Sequence, residues 1–335
     1  MIARRRTNLH LPPRMYMYKG KRKNTYYTIT AANEYITLGH DLAESKKKLI
    51  EIEEGRPVAG SIGELIDRYM KEISPKKAAS THKDELASAE RLRNVFGKMK
   101  PGDLRPVHVA KYLDLRGQTA PVRANREKSL LSHMFSIAMR WGIVDTNPCR
   151  GVARNTERPR DRLVTDAELI NFCTFAERTN ETGRMLSSVA RLAYLTGQRR
   201  GDLLRLRLDL LADEGIMITQ SKTRAKVIIE WTPALRNCVA ALKSLDRPVS
   251  GLFLICNRSG QPYTDSGFKA MWGRTMAAWI KEGNEGFTFH DLRAKAITRM
   301  VEDGRKAADL SGHSTDALVK KVYDRRAFKR SKAVE

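Results

Sequence analysis

Cysteine is scarce in this chain and carries no pattern. The 335 residues hold four, Cys149, Cys173, Cys238 and Cys256. There is no CxxC pair and no Cys/His spacing suited to zinc, which excludes a disulfide scaffold and leaves small buried hydrophobes of a reducing compartment. No apolar run reaches the roughly 18 residues of a membrane span, and no signal-peptide core follows the basic start, so a cytoplasmic protein with no membrane partner is expected. A GxxxxGK[ST] phosphate loop and a convincing acidic triad are both missing, so neither ATP nor any metal or other cofactor is expected. Internal repeats, low-complexity tracts and coiled-coil patterns are missing too. Asp and Glu are absent from the first thirty residues altogether.

What is present is positive charge. Sixty-two Lys and Arg against 38 Asp and Glu give a net charge of +24, while 41% hydrophobic and 30% charged residues are ordinary for a globular chain. Such an excess favours a polyanion through phosphate contacts and counterion release, with nucleic acid ahead of an anionic membrane surface. The N-terminal stretch concentrates it: Arg4, Arg5, Arg6, Arg14, Lys19, Lys21, Arg22 and Lys23 are interleaved with Tyr16, Tyr18, Tyr26 and Tyr27. A basic arm with aromatics reads as a DNA contact in preference to a solvated charge run.

Alternation at 15–18, 26–30 and 35–38 predicts three short strands, and a helix over 42–54 closes this small unit. Gly55-Arg56-Pro57 with Gly60 marks a linker. Beyond it Ile62, Leu65, Ile66, Tyr69 and Met70 recur at helical spacing, and further helical runs centre on Leu92, Tyr112 and Leu131, so 61–150 reads as all helical. Arg123 and Arg126 on its polar faces are phosphate contacts or solvated charge. The polar segment at 154–162, RNTERPRDR, reads as a flexible basic linker lying along a polyanion. Thr165 with Glu168 forms a capping box that opens the next helix. Helices through Leu186 to Ala193 and through Leu203, Leu204 and Leu206 follow. Ile216-Met217-Ile218 and Val227-Ile228-Ile229 read as a hairpin with Ser221 to Arg224 at its tip, and helices are expected near 233–244, 265–282, 290–303 and 315–327. The expected fold class is multidomain: a small three-stranded β-sheet plus helix, then an all-α domain, then a mostly α domain with a small β-sheet. The boundaries expected are 1–55, 56–153, a linker at 154–164, and 165–335.

Chemistry concentrates near the C-terminal end of this last stretch. His290 and Arg293 are three apart on a helix that starts near His290, so they share a face and can converge on one anion, and a helix N-terminus itself favours phosphate. His313 and Tyr323 add a second imidazole and a phenol. Upstream, the run from Thr196 to Asp202 ends one helix at Gly197 and starts another, which puts Arg199 near a helix end with Asp202 placed to orient an arginine fork. Cations, imidazoles and a phenol together describe phosphoryl transfer to tyrosine.

Taken with Lys222, these residues resemble the tyrosine recombinases, the integrase family, whose ordered boxes are Arg, Lys, His-x-x-Arg, His or Trp, and Tyr. All stand in order at Arg199, Lys222, His290, Arg293, His313 and Tyr323. Asn125 and Asn147-Pro148-Cys149 look like the end of that family's helical core-binding (SAM-like) domain. Arg4-Arg5-Arg6, Leu11-Pro12-Pro13, Tyr16, Tyr26-Tyr27 and Leu38-Gly39-His40-Asp41 look like the arm-type DNA-binding domain of lambda-type phage integrases. The resemblance implies metal- and ATP-independent strand transfer on double-stranded DNA, with Tyr323 as nucleophile forming a 3′-phosphotyrosyl link. It further implies phosphate binding by Arg199, Arg293 and His313, Lys222 as general acid, His290 as base, and Asp202 as support. Arg224 and Lys226 share the turn of Lys222 and are the rival acids or phosphate contacts. Implied partners are core-type and arm-type attachment sites, a tetramer on DNA, an excision factor and a host DNA-bending protein, in the nucleoid of a bacterial host. Tyr323 lies ten residues after His313, one more than the resemblance leads us to expect, so a tyrosine segment that is mobile or exchanged between protomers is expected. The rival readings are a noncatalytic DNA-binding protein that kept the fold, and a type IB-like topoisomerase.

Overall fold

A computed structural model of the chain describes residues 11–20, 23–29, 35–53, 60–158, 160–246, 249, 251–311, 319 and 323–325. Arg4, Arg5, Arg6, Lys21, Arg22, His313 and most of the helix expected over 315–327 lie outside the described residues. The chain divides into two units, 1–158 and 159–335.

In the first unit, β1 (Met15–Lys19), β2 (Asn24–Ile29) and β3 (Tyr35–Gly39) form an antiparallel sheet in that order, followed by helix α1 (Leu42–Glu53). Side chains alternate across a strand, so Met15, Tyr26 and Leu38 turn inward to meet Leu11 and Leu49. Tyr16 then stacks on Tyr27 on the other face, with ring centroids 5.5 Å apart, and Tyr35 lies tilted against Tyr27 at 5.6 Å. Arg14, at a left-handed φ of 60°, and Lys23 are exposed beside this sheet.

Four helices follow: α2 (Ile62–Glu72), α3 (Ala79–Phe96), α4 (Pro106–Gly117) and α5 (Pro121–Arg140). Ile62, Leu65, Ile66, Leu92, Leu131 and Phe135 close their core. Helix α5 buries Ala124, Asn125 and Glu127 and leaves Arg123 and Arg126 in solvent. The buried Asn125 needs hydrogen-bond partners, and the basic segment after the helices supplies them. Asn125 Nδ2 donates to Asn155 O and to Glu157 Oε1, both at 2.8 Å, while its Oδ1 accepts from the Asn155 amide at 2.9 Å. The segment expected to be a free linker is therefore fastened to α5 at its start.

The second unit holds α6 (Asp166–Thr179), α7 (Glu181–Thr196), α8 (Arg200–Leu204), the hairpin β4 (Gly215–Thr219) and β5 (Lys226–Glu230), α9 (Pro233–Lys243), α10 (Asp265–Lys281), α11 (Phe289–Glu302) and α12 (Ala307–Ser311). The capping box of α6 is formed, with the Glu168 amide donating to Thr165 Oγ1 at 3.2 Å and the Thr165 amide to Glu168 Oε2 at 2.7 Å. The helix expected to run through Leu206 stops at Leu204. Leu206 is instead buried beyond its end, and its carbonyl accepts the Leu254 amide at 2.8 Å. An apolar cluster rich in aromatic side chains, among them Phe172, Phe268, Trp272, Trp279 and Phe287, fixes the floor under α11. A second cluster, around Ala294, Ile297, Ala307, Val319 and Tyr323, lies on another side of the same helix. Among the described residues no helix is long and apolar enough to cross a membrane.

Candidate active site

Two elements build the site, the α7–α8 turn and the helix α11. Gly197 ends α7 at φ 60°, a left-handed conformation in which glycine alone escapes a penalty. A Cβ there would also lie 2.6 Å from Leu310 Cδ2, so the turn is pressed against α12. Its carbonyl faces α11 and accepts Arg293 Nη1 at 2.6 Å. Gly197→Ala is expected to cost about 1–3 kcal/mol of folding stability from the strained backbone, read as a lower urea midpoint at unchanged m-value. Two residues on, Arg199 donates from Nη1 to Gln220 Oε1 at 2.6 Å.

On α11, Thr288 caps the helix and its amide donates to Asp291 Oδ2 at 2.7 Å. His290 lies in the first turn and Arg293, only 1% exposed, one turn on. Tyr323 packs over both: its ring lies 5.7 Å from the His290 ring, and the Arg293 guanidinium carbon is 5.4 Å from its centroid. The tyrosine is docked in its own chain, because Thr298 Oγ1 donates to the Tyr323 carbonyl at 2.9 Å and the Tyr323 ring, 7% exposed, closes the small cluster on α11. Burial lowers the Arg293 pKa; Tyr323 opposes that shift, and the nearby Arg199 charge adds to it. Two cations held within reach of one another favour an anion between them. Burial, then the charges of Arg293 and Arg325, lower the pKa of His290, so its imidazole is neutral at pH 7 and open to accepting a proton.

The hairpin completes the described part of the site. Lys222 is exposed at the tip between β4 and β5, beside Arg224, whose φ of 59° turns the chain back. The arginine fork expected of Asp202 is not formed among the described residues, where its buried Oδ2 has no hydrogen-bond partner. The Asp202 Oδ1 accepts the Ser221 amide at 3.0 Å in the turn that follows β4, because the turn leaves that amide without a strand partner. Its charge also supports Arg293 at longer range.

A model of the phage integrase family matches residues 163–330. The chain belongs to that family. It is a tyrosine recombinase of lambda type. It is 27% identical to the shufflon-specific DNA recombinase of Escherichia coli over 288 residues, covering 80% of this chain and 70% of that protein. It is 24% identical to the integrase of Escherichia phage lambda over 358 residues, covering 97% of each. The lambda integrase dimer bound to a COC′ core site superposes with a TM-score of 0.69 at 22% identity, covering 99% of each chain. The lambda integrase tetramer bound to a Holliday junction gives the same score, identity and coverage. At that identity the structural likeness is one of fold.

One carboxylate of this recombinase carries no mark in the sequence. Asp291, inside the His290 to Arg293 box and 1% exposed, accepts from Arg325 Nη1 at 2.6 Å and lies 3.1 Å from Arg160 Nε. Arg325 also donates to the Arg162 carbonyl at 2.7 Å. Asp291 therefore ties the residues that follow the tyrosine, and those that precede Val164, to α11. Only the placement of Arg325 two residues after Tyr323 hints at this in sequence. Removing one partner of a buried pair strands the other charge, so Asp291→Ala is expected to lower stability by about 3–5 kcal/mol in urea unfolding. Burial alone raises the Asp291 pKa, but the Arg325 hydrogen bond and the Thr288 amide and hydroxyl outweigh it, and the net shift is downward. Its stabilisation is thus complete above the ordinary carboxylate value of about 3.9 and is lost as pH falls through the lower folded value.

Proposed function

We propose that this chain is a site-specific DNA recombinase in which Tyr323 attacks a scissile phosphate, integrating and excising a mobile element. The Tyr323 oxygen bonds to phosphorus, the bond to the 5′-oxygen breaks, and the strand is held as a 3′-phosphotyrosyl ester with a free 5′-hydroxyl. His290 takes the phenol proton and Lys222 gives one to the leaving oxygen. Arg199 and Arg293, with His313, hold the nonbridging oxygens as negative charge builds. A 5′-hydroxyl from a second strand reverses the step, and the bond energy is retained throughout. The observation that carries this reading is the placing of Tyr323 against both His290 and Arg293 on one helix.

On the same reading, 1–55 is the arm-type DNA-binding domain, with Arg4, Arg5, Arg6, Arg14, Lys21, Arg22 and Lys23 on DNA. The core-binding domain is 56–153, with Arg123 and Arg126 on phosphates, 154–164 is the linker, and 165–335 is catalytic. The working form is a tetramer on double-stranded DNA in the bacterial cytoplasm, helped by an excision factor and a host DNA-bending protein. Its test is incubation of the protein with a nicked duplex carrying the attachment site, in EDTA. The expected result is a covalent protein–DNA adduct stable to SDS. DNA binding without an adduct would mark a noncatalytic DNA-binding protein, and relaxation of plasmid lacking the site, without recombinants, a topoisomerase.

A further inference from the structure

We propose that Gln220 is a positioning residue that joins the separate parts of this active site: the Arg199 side chain, the Lys222 hairpin and the segment leading into His313. The inference rests on the recombinase reading above. Gln220 follows β4 and is fully buried. Its Oε1 accepts from Arg199 Nη1 at 2.6 Å and from Thr223 Oγ1 at 3.0 Å. Its Nε2 donates to Gln198 Oε1 at 2.9 Å and to the Leu310 carbonyl at 3.4 Å. Gln198, itself 1% exposed, donates to the same Leu310 carbonyl at 2.9 Å and to Thr196 O at 3.1 Å.

Both acceptor sites and both protons of the Gln220 amide are therefore in use. Turning the amide over would set its oxygen against Gln198 Oε1 and the Leu310 carbonyl, and its NH2 against the Arg199 guanidinium, while the Thr223 hydroxyl alone could adapt. In a buried site each mismatch leaves a polar group unpaired, so one orientation is fixed. The consequences run in three directions. Arg199 has one edge of its guanidinium anchored and keeps the rest for an anion. Thr223, next to Lys222 in sequence, is held from its hydroxyl, while the hairpin backbone is closed by Gln220 N to Ala225 O at 2.8 Å and Arg224 N to Gln220 O at 2.9 Å. Leu310 is held from its carbonyl, three residues before His313, and packs on Gly197. A neutral side chain thus sets the relative placement of two cations and of the α12 end at Leu310 without touching the reacting atoms. A buried amide with a purely local packing role would affect only its own hairpin.

Gln220→Met keeps length and bulk but removes all four side-chain hydrogen bonds. In single-turnover cleavage of the nicked attachment-site duplex, Q220M is expected to lose about 10²-fold in rate, as for a small misplacement of catalytic groups. DNA binding should stay within about twofold, and combining it with Arg199→Lys should fall short of the product of the two single losses by more than about twofold. Hydrogen exchange on the free protein should show faster exchange at 223–225 and at 310–311 together. Cleavage within about twofold of the parent, multiplicative losses in the double variant, or faster exchange confined to one segment would overturn the proposal. If the parent protein itself forms no adduct, the recombinase reading fails and the exchange result still decides whether Gln220 couples the two segments. Should Q220M unfold, Gln220→Glu keeps the acceptors for Arg199 and Thr223 and deletes the two donors. It is expected to loosen 310–311 and leave 223–225 protected, and the reverse pattern would overturn the proposal.

Discussion

Tyr323→Phe is expected to abolish covalent cleavage, by at least about 10⁴-fold in single-turnover rate, as for loss of a nucleophile in a residue set that acts as a unit. DNA binding and folding should be nearly unchanged. The substitution removes one oxygen and leaves the ring, which fills the small cluster with Ala294, Ile297 and Ala307 and packs against His290 and Arg293. The backbone anchor, Thr298 Oγ1 to the Tyr323 carbonyl, is indifferent to the change. The stability cost is then that of one side-chain hydrogen bond, on the order of 1 kcal/mol. The phenol reaches this position by docking on its own α11, with Asp291 and Arg325 closing the segment behind it. On the proposed reading, the oxygen of a tyrosine buried to this degree turns toward the phosphate when DNA is engaged.

Arg293→Lys is expected to slow cleavage by about 10²–10³-fold with a smaller effect on DNA binding, measured by single-turnover rates beside filter or gel binding. The charge survives, but the planar fork does not. Arg293 anchors Nη1 on the Gly197 carbonyl at 2.6 Å and holds the rest of its guanidinium beside Tyr323. A lysine ammonium can serve the carbonyl or the phosphate but lacks the spread to serve both. Because Arg293 is also 1% exposed, a shorter reach leaves a polar void, and some loss of thermal stability accompanies the kinetic one. The two losses separate by experiment: the rate falls even at temperatures where the variant is fully folded.

The elements that a local pattern encodes are legible in the sequence. Met15, Tyr26 and Leu38 alternate with outward tyrosines, and Thr165 with Glu168 announces a helix three residues at a time. Arg199, His290, Arg293 and Tyr323 stand in short motifs, and the structure gathers them where α7 ends and α11 begins. What local patterns do not encode is the long-range closure. The bond from Arg293 to Gly197 spans 96 residues, and that from Gln198 to Leu310 spans 112. Gln220 carries no charge and follows a strand of ordinary alternation, so nothing in its neighbourhood marks it as buried. Asp291 reads as a spacer in the His290 to Arg293 box until its two arginine partners arrive from opposite ends of the unit. The basic segment at 154–162 reads as free linker, because one buried amide on α5 and one buried carboxylate on α11 are what hold its two ends.

The most direct measurement is the chemical identity of the protein–DNA link. After cleavage of the nicked duplex, the adduct is digested with protease and nuclease and the modified peptide sequenced by mass spectrometry. A nucleotide joined through its 3′-phosphate to the oxygen of Tyr323 is the result this account predicts. A link to Tyr194, Tyr263 or any other residue, or one made through a 5′-phosphate, would contradict it.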